Sequence, residues 1–144
     1  MHADTLCSPS IFERMLNEKA DIVLPVDYKV CDEEAMKVKT ENNVVVEISK
    51  KINSDEAEGE FIGMAKISKE ALKQIKAASK ILMQKKDFTA YFEGAIEYLI
   101  EKGKCKPVTV PTNGEFWGEV DFIEDYERVC REISDKLVEI AERL

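Results

Sequence analysis

Apolar residues recur along this chain with a spacing that switches between three or four and two, and the switches mark its elements. Ser8-Pro9 starts a helix, with serine as the cap, proline at the first helical position, and Ile11, Phe12, Met15 and Leu16 on one face. Residues 22–26 are a nearly continuous apolar run, which predicts a buried strand that loses its ladder at Pro25. Residues 36–41 and 44–50 flank Asn42-Asn43 and predict a hairpin, since asparagine tolerates the positive φ of a tight two-residue turn. An acidic loop over residues 53–59 leads into a strand over 60–67, in which Gly63 leaves room for another backbone or a ligand.

Ser68 then caps a helix carrying Ala71, Leu72, Ile75, Ala78 and Leu82 at helical spacing. A second helix places Phe88, Phe92, Ile96, Leu99 and Ile100 together and ends at Gly103. Residues 105–110 and 115–120 read as strands around a turn at 111–114, able to pair as a hairpin. The last helix, from about residue 122 to 144, aligns Tyr126, Val129, Ile133, Leu137, Ile140 and Leu144; Glu124 and Asp125 at its start and Arg143 at its end complement its dipole. The order is α/β with antiparallel hairpins mixed in, and no repeat or linker divides residues 1–144 into two domains.

At 144 residues the chain is long enough for a real core, because a domain of about 150 residues hides roughly 70% of its unfolded surface. The four cysteines, Cys7, Cys31, Cys105 and Cys130, form no C-x-x-C pair, and the only histidine is His2 near the terminus, so no zinc site or disulfide framework is signalled. Free thiols fit a reducing, cytoplasmic setting. There is no membrane-length apolar run and no signal-peptide pattern. A net charge of -8 with both signs interleaved argues against a nucleic-acid surface, which needs a clustered basic face.

Two segments carry a resemblance. Gly59-Glu60-Phe61-Ile62-Gly63-Met64-Ala65-Lys66-Ile67-Ser68, followed by Phe116-Trp117-Gly118-Glu119-Val120-Asp121-Phe122-Ile123-Glu124-Asp125-Tyr126, resembles the C-terminal portion of the sugar-phosphate and phosphocholine nucleotidyltransferase family. The resemblance implies a Rossmann-like mixed sheet flanked by helices. It also implies transfer of a nucleotidyl group from CTP or another NTP to a phosphorylated acceptor, such as phosphocholine, 2-aminoethylphosphonate or a sugar 1-phosphate, with release of pyrophosphate.

By that resemblance Asp121, where a strand hands over to a helix, and Asp4, in Ala3-Asp4-Thr5-Leu6-Cys7-Ser8-Pro9, are the metal ligands. Their bare readings are a helix cap for Asp121 and a solvated terminal residue for Asp4. Two carboxylates about 4 Å apart repel by about 4 kcal/mol at an effective dielectric near 20, a penalty that a divalent cation removes. Mg2+ suits one or two carboxylates completed by water and substrate phosphates. Glu60 and Glu119 lie in the matching motifs; Glu60 with the rings of Trp117 or Tyr91 suits an acceptor hydroxyl or amine, and Lys51, beside Lys50, suits a phosphate. The bland alternatives are core aromatics for Trp117 and Tyr91, strand-edge charge for Glu60, and solvated lysines.

The family's glycine-rich loop, whose N–H groups cradle the triphosphate, has no counterpart here: the six glycines stand singly. A metal and acceptor half without that cradle cannot position an α-phosphate. The expectation is a partial domain, inactive alone, whose uncovered edges and apolar faces predict a homodimer or a separately encoded N-terminal half. A non-catalytic binding module of the same descent is the rival.

Overall fold

A computed structural model describes residues 2–84 and 92–142, with side chains as far as Ile133. Strand β1 (Thr5–Cys7) leads into helix α1 (Pro9–Asn17), and β2 (Ile22–Asp27), β3 (Lys37–Glu41), β4 (Val44–Ser49), β5 (Gly59–Phe61) and β6 (Lys66–Ile67) follow. Helices α2 (Lys69–Gln84) and α3 (Phe92–Glu101), strands β7 (Val108–Pro111) and β8 (Trp117–Glu119) and helix α4 (Ile123–Glu142) complete the order. The result is a mixed α/β fold. One sheet of six strands runs β5-β3-β4-β7-β2-β6, β5 also pairs with β2, and a separate two-stranded sheet joins β1 to β8.

The apolar run of β2 is explained by burial on both faces. Ile22, Leu24 and Val26 point to a core with Ala71, Ile75 and Ala78 of α2 and Ala95, Ile96 and Leu99 of α3. Val23 points the other way, into a cluster with Ile11 and Met15 of α1 and with Ile62, Met64 and Val110. Strand β2 does not lose its ladder at Pro25 as expected; it continues to Asp27 and pairs parallel with β7 from Val23 to Val26, across the proline. Successive residues aim their main-chain groups at opposite neighbours, so Val26 O accepts from Thr112 while Pro25 O accepts from Ile62. The proline's missing N–H therefore falls on the side of β5 and β6, and the parallel ladder is spared.

Local signals hold in several places. Asn42 and Asn43 adopt φ of 52° and 65° in the β3–β4 hairpin, Ser68 Oγ accepts the Ala71 N–H at 3.1 Å, and α3 ends with Gly103 at φ 61° and Lys104 N–H bonded to Leu99 O. Others are overruled. Residues 60–67 are not one strand: Gly63, at φ 77°, turns the chain between β5 and β6. The strand expected at 105–110 begins only at Val108. Strand β8 does not fold back on β7 but crosses to β1, with Thr5 opposite Glu119 and Cys7 opposite Trp117. Ser8 sits at the α1 cap position without capping; its hydroxyl donates to Phe116 O at 3.1 Å and ties α1 to the approach to β8. Arg14 strengthens that tie through Glu115 at 2.7 Å and the carbonyls of Pro111 and Thr112.

Of the stripe expected on α4, Val129 is buried while Tyr126 is 56% and Ile133 38% exposed. The side chains of Leu137 and Ile140, together with Phe88, Arg143 and Leu144, lie outside the described residues.

Candidate functional site

The β1–β8 ladder builds the site. Asp4 stands just before β1 rather than at the end of a strand, and its carbonyl accepts the Val120 N–H at 3.0 Å, so the two ends of the ladder deliver Asp4 on one side and Glu119 and Asp121 on the other. Asp4, Glu119, Asp121 and Glu60 share a cavity of about 240 Å3 with His2 and Glu93. Glu60, Glu119 and Asp121 also line a neighbouring cavity of about 550 Å3, with Trp117, Asp27 and Lys29. The alternative role of Asp121 as helix cap belongs instead to Asp125, whose carboxylate accepts the Phe122 N–H at 3.1 Å. That bond, with help from Arg128, holds the Asp125 carboxyl below the ordinary range.

His2, although next to the first residue of the sequence, is anchored. Its N–H donates to Gly63 O at 2.9 Å, its Nε2 lies 2.7 Å from Glu93 Oε1, and its ring meets the Phe92 ring edge-on at 5.7 Å. One ligand atom each from His2, Asp4 and Glu119 fall within 4.8 Å of one another. Asp4 Oδ1 is buried with no hydrogen-bond partner among the described residues, a carboxylate oxygen suited to a cation. An acidic, partly dry donor set of this kind fits a divalent metal.

In the larger cavity, Asp27 at the end of β2 organises three groups. It accepts from the Thr112 hydroxyl at 2.6 Å and from Trp117 Nε1 at 3.0 Å, and Lys29 Nζ stands 3.4 Å away. Lys29 also pairs with Glu60 at 2.9 Å and lies over the Trp117 ring, 4.7 Å from its centre. The cation slot expected of Glu60 and Trp117 is thus filled by the chain's own ammonium group. Burial raises the Asp27 pKa, but the bonds from Thr112, Trp117 and Lys29 outweigh it and leave the carboxyl below its ordinary value. Burial lowers that of Lys29, and Glu60 and Asp27 outweigh it in the other direction.

A carboxyl with a lowered folded pKa contributes stability above its unfolded value and loses it as pH falls through the folded one. Asp27→Asn is therefore expected to cost about 2 kcal/mol at neutral pH, and the cost should shrink below about pH 4. Urea midpoints at pH 7 and pH 3 check this; an equal penalty at both would mean that the charge contributes nothing.

Lys51 stays out of both cavities. It borders a shallow depression with Glu33, Lys37 and Asp55, while its neighbour Lys50 reaches the smaller cavity. Tyr91 lies outside the described residues. Asp27, Lys29, Glu93 and His2 were missed by sequence reasoning. For Glu93 there was a signal: it lies three residues before Ile96, on the inward stripe of α3, where a carboxylate has no business unless paired. Asp27 was hidden by ending the ladder at Pro25.

No protein-family model matches the chain, and no curated protein matches it. Among solved structures it is similar to the inositol-1-phosphate CTP transferase from T. maritima, with a TM-score of 0.61 and 19% identity over 85% of this chain. The chain spans about half of that structure's length, 48%. No helix among the described residues is long and apolar enough to cross a membrane. What the likeness shows is the fold: a mixed sheet flanked by helices, similar to part of that structure.

Proposed function

We propose that the chain is the metal- and acceptor-binding portion of a nucleotidyltransferase that joins a nucleotidyl group from CTP or another NTP to a phosphorylated small molecule. The observation that carries this reading is the β1–β8 ladder, which brings Asp4 and Asp121 to one cavity beside Glu60, Trp117 and Lys29. An acceptor phosphate oxygen attacks the α-phosphorus, a new P–O bond forms, and the bond to the bridging oxygen breaks with its electron pair leaving on pyrophosphate. Asp4 and Asp121 would hold Mg2+, which when bound offsets charge on the α-phosphate and the leaving group.

The larger cavity is lined by eight carboxylates against Lys29 and Arg128, so a polyphosphate needs a cation with it to enter. Because Lys29 already covers Trp117 and pairs with Glu60, a hydroxyl-rich sugar or polyol phosphate suits the site better than phosphocholine, whose ammonium would meet Lys29. The neighbour's inositol 1-phosphate is an acceptor of that class.

The partner in this reading is a glycine-rich N-terminal half, on the same or a separate chain, and the setting is cytoplasmic. Mixing the protein with a candidate N-terminal half, CTP, Mg2+ and inositol 1-phosphate is expected to release pyrophosphate, with phosphocholine a poorer acceptor. A complex that forms and releases none, with any of the common NTPs, would leave a binding module in its place.

A further inference from the structure

The geometry around Gly63 points to a second metal site, separate from the Asp4–Asp121 pair and sharing only Asp4: we infer that His2, Asp4 and Glu119 bind a divalent transition metal, with Glu93 as the positioning residue. The argument begins with protons. Glu93 Oε1 is 2.7 Å from His2 Nε2, and a carboxylate only accepts, so in the neutral imidazole, the form that ligates a metal, Nε2 carries the hydrogen and Nδ1 presents a lone pair. That lone pair faces Glu119 Oε1 at 3.5 Å. In that tautomer two acceptors face each other, an arrangement that a cation between them satisfies. Two donors each about 2.1 Å from one ion lie about 3.0 Å apart at an octahedral angle and about 3.4 Å at a tetrahedral one, so a small closing of the 3.5 Å gap observed admits the ion.

Two further observations support the site, the first of them on groups outside the three ligands. Thr5 Oγ1 and Glu93 Oε2 are unpartnered among the described residues although Thr5 is only 5% and Glu93 2% exposed, and Glu93 lines the same cavity as the three ligands. The space is also kept clear. A Cβ on Gly63 would stand 2.7 Å from His2 Nδ1, 2.8 Å from Thr5 Oγ1 and 3.1 Å from Glu119 Oε1. Three polar atoms thus converge where only glycine leaves room. The Glu93–His2 pair has the form of a carboxylate that fixes the tautomer and orientation of a ligating imidazole. A nitrogen in the donor set favours a transition metal such as Mn2+ over Mg2+, which prefers oxygen alone.

The test uses untagged protein and Mn2+ alone, with no nucleotide, so its outcome is independent of the transfer reaction. One equivalent of Mn2+ is expected to bind, with an imidazole 14N coupling in pulsed EPR that survives a large excess of Mg2+. His2→Gln should abolish the coupling and weaken binding about tenfold or more. Glu93→Gln should weaken it by about tenfold, the usual reach of an outer-shell partner, with the metal-free melting temperature held. Glu119→Gln is the second ligand variant should Glu93→Gln not fold. Asp121→Asn should leave the nitrogen coupling in place. A Mn2+ spectrum without nitrogen coupling, or binding lost in Asp121→Asn and kept in His2→Gln, would overturn the proposal and put the ion on the aspartate pair.

Discussion

Gly63→Ala is expected to destabilise the protein by about 3 kcal/mol, of which roughly 1–2 comes from forcing an L-residue into the left-handed region and the rest from overpacking. The backbone there has φ 77°, and the added methyl group would displace His2, Thr5 and Glu119 together. The chain contains its own control. Gly103 and Gly114 also have positive φ, 61° and 71°, but nothing lies within 4 Å of a Cβ at either. Alanine at those positions should cost only the backbone part, about 1 kcal/mol. Thermal melts of the three variants decide the matter: a Gly63→Ala penalty no larger than that of Gly103→Ala would mean that the polar cradle has no rigidity to defend. The same variant should lose Mn2+ binding, because the ligand atoms must part to admit the methyl group.

The second large effect concerns chemistry. In any preparation that passes the transfer test, Asp121→Ala is expected to lower turnover by about a thousandfold, close to 4 kcal/mol in the barrier, while the melting temperature stays within a degree or so of the parent. The fold should not notice. Asp121 is exposed, and the cap of α4 is supplied by the Asp125 carboxylate. Pyrophosphate release measured beside a melt separates the two roles, and near-normal turnover would remove Asp121 from the metal site. Asp121→Ala and Gly63→Ala should thus divide: one loses transfer without stability, the other loses both.

What could be read from the chain alone was whatever a few neighbouring residues decide among themselves. Asn42-Asn43 specified a tight turn because both tolerate positive φ, Ser68 and Gly103 bounded their helices, and the continuous apolar run of β2 announced a strand covered on both faces. The motif residues Asp4, Glu60, Trp117, Glu119 and Asp121 were also legible, and they do converge on two adjoining cavities.

Tertiary structure decided the partners. That β8 pairs with β1 and not β7 depends on residues more than a hundred positions apart, and no local propensity encodes that choice. The same ladder turned His2 from a terminal residue into an anchored one, and the turn at Gly63 opened the space beside it. Lys29 took the ammonium place that Glu60 and Trp117 offered, which only the return of β2 alongside β5 could arrange. Turn and cap energies are settled within a few residues and are therefore written locally. The pairing of buried charges depends on which distant groups the fold brings within about 3 Å, where Coulomb and hydrogen-bond terms become large, and so it exists only in the folded chain.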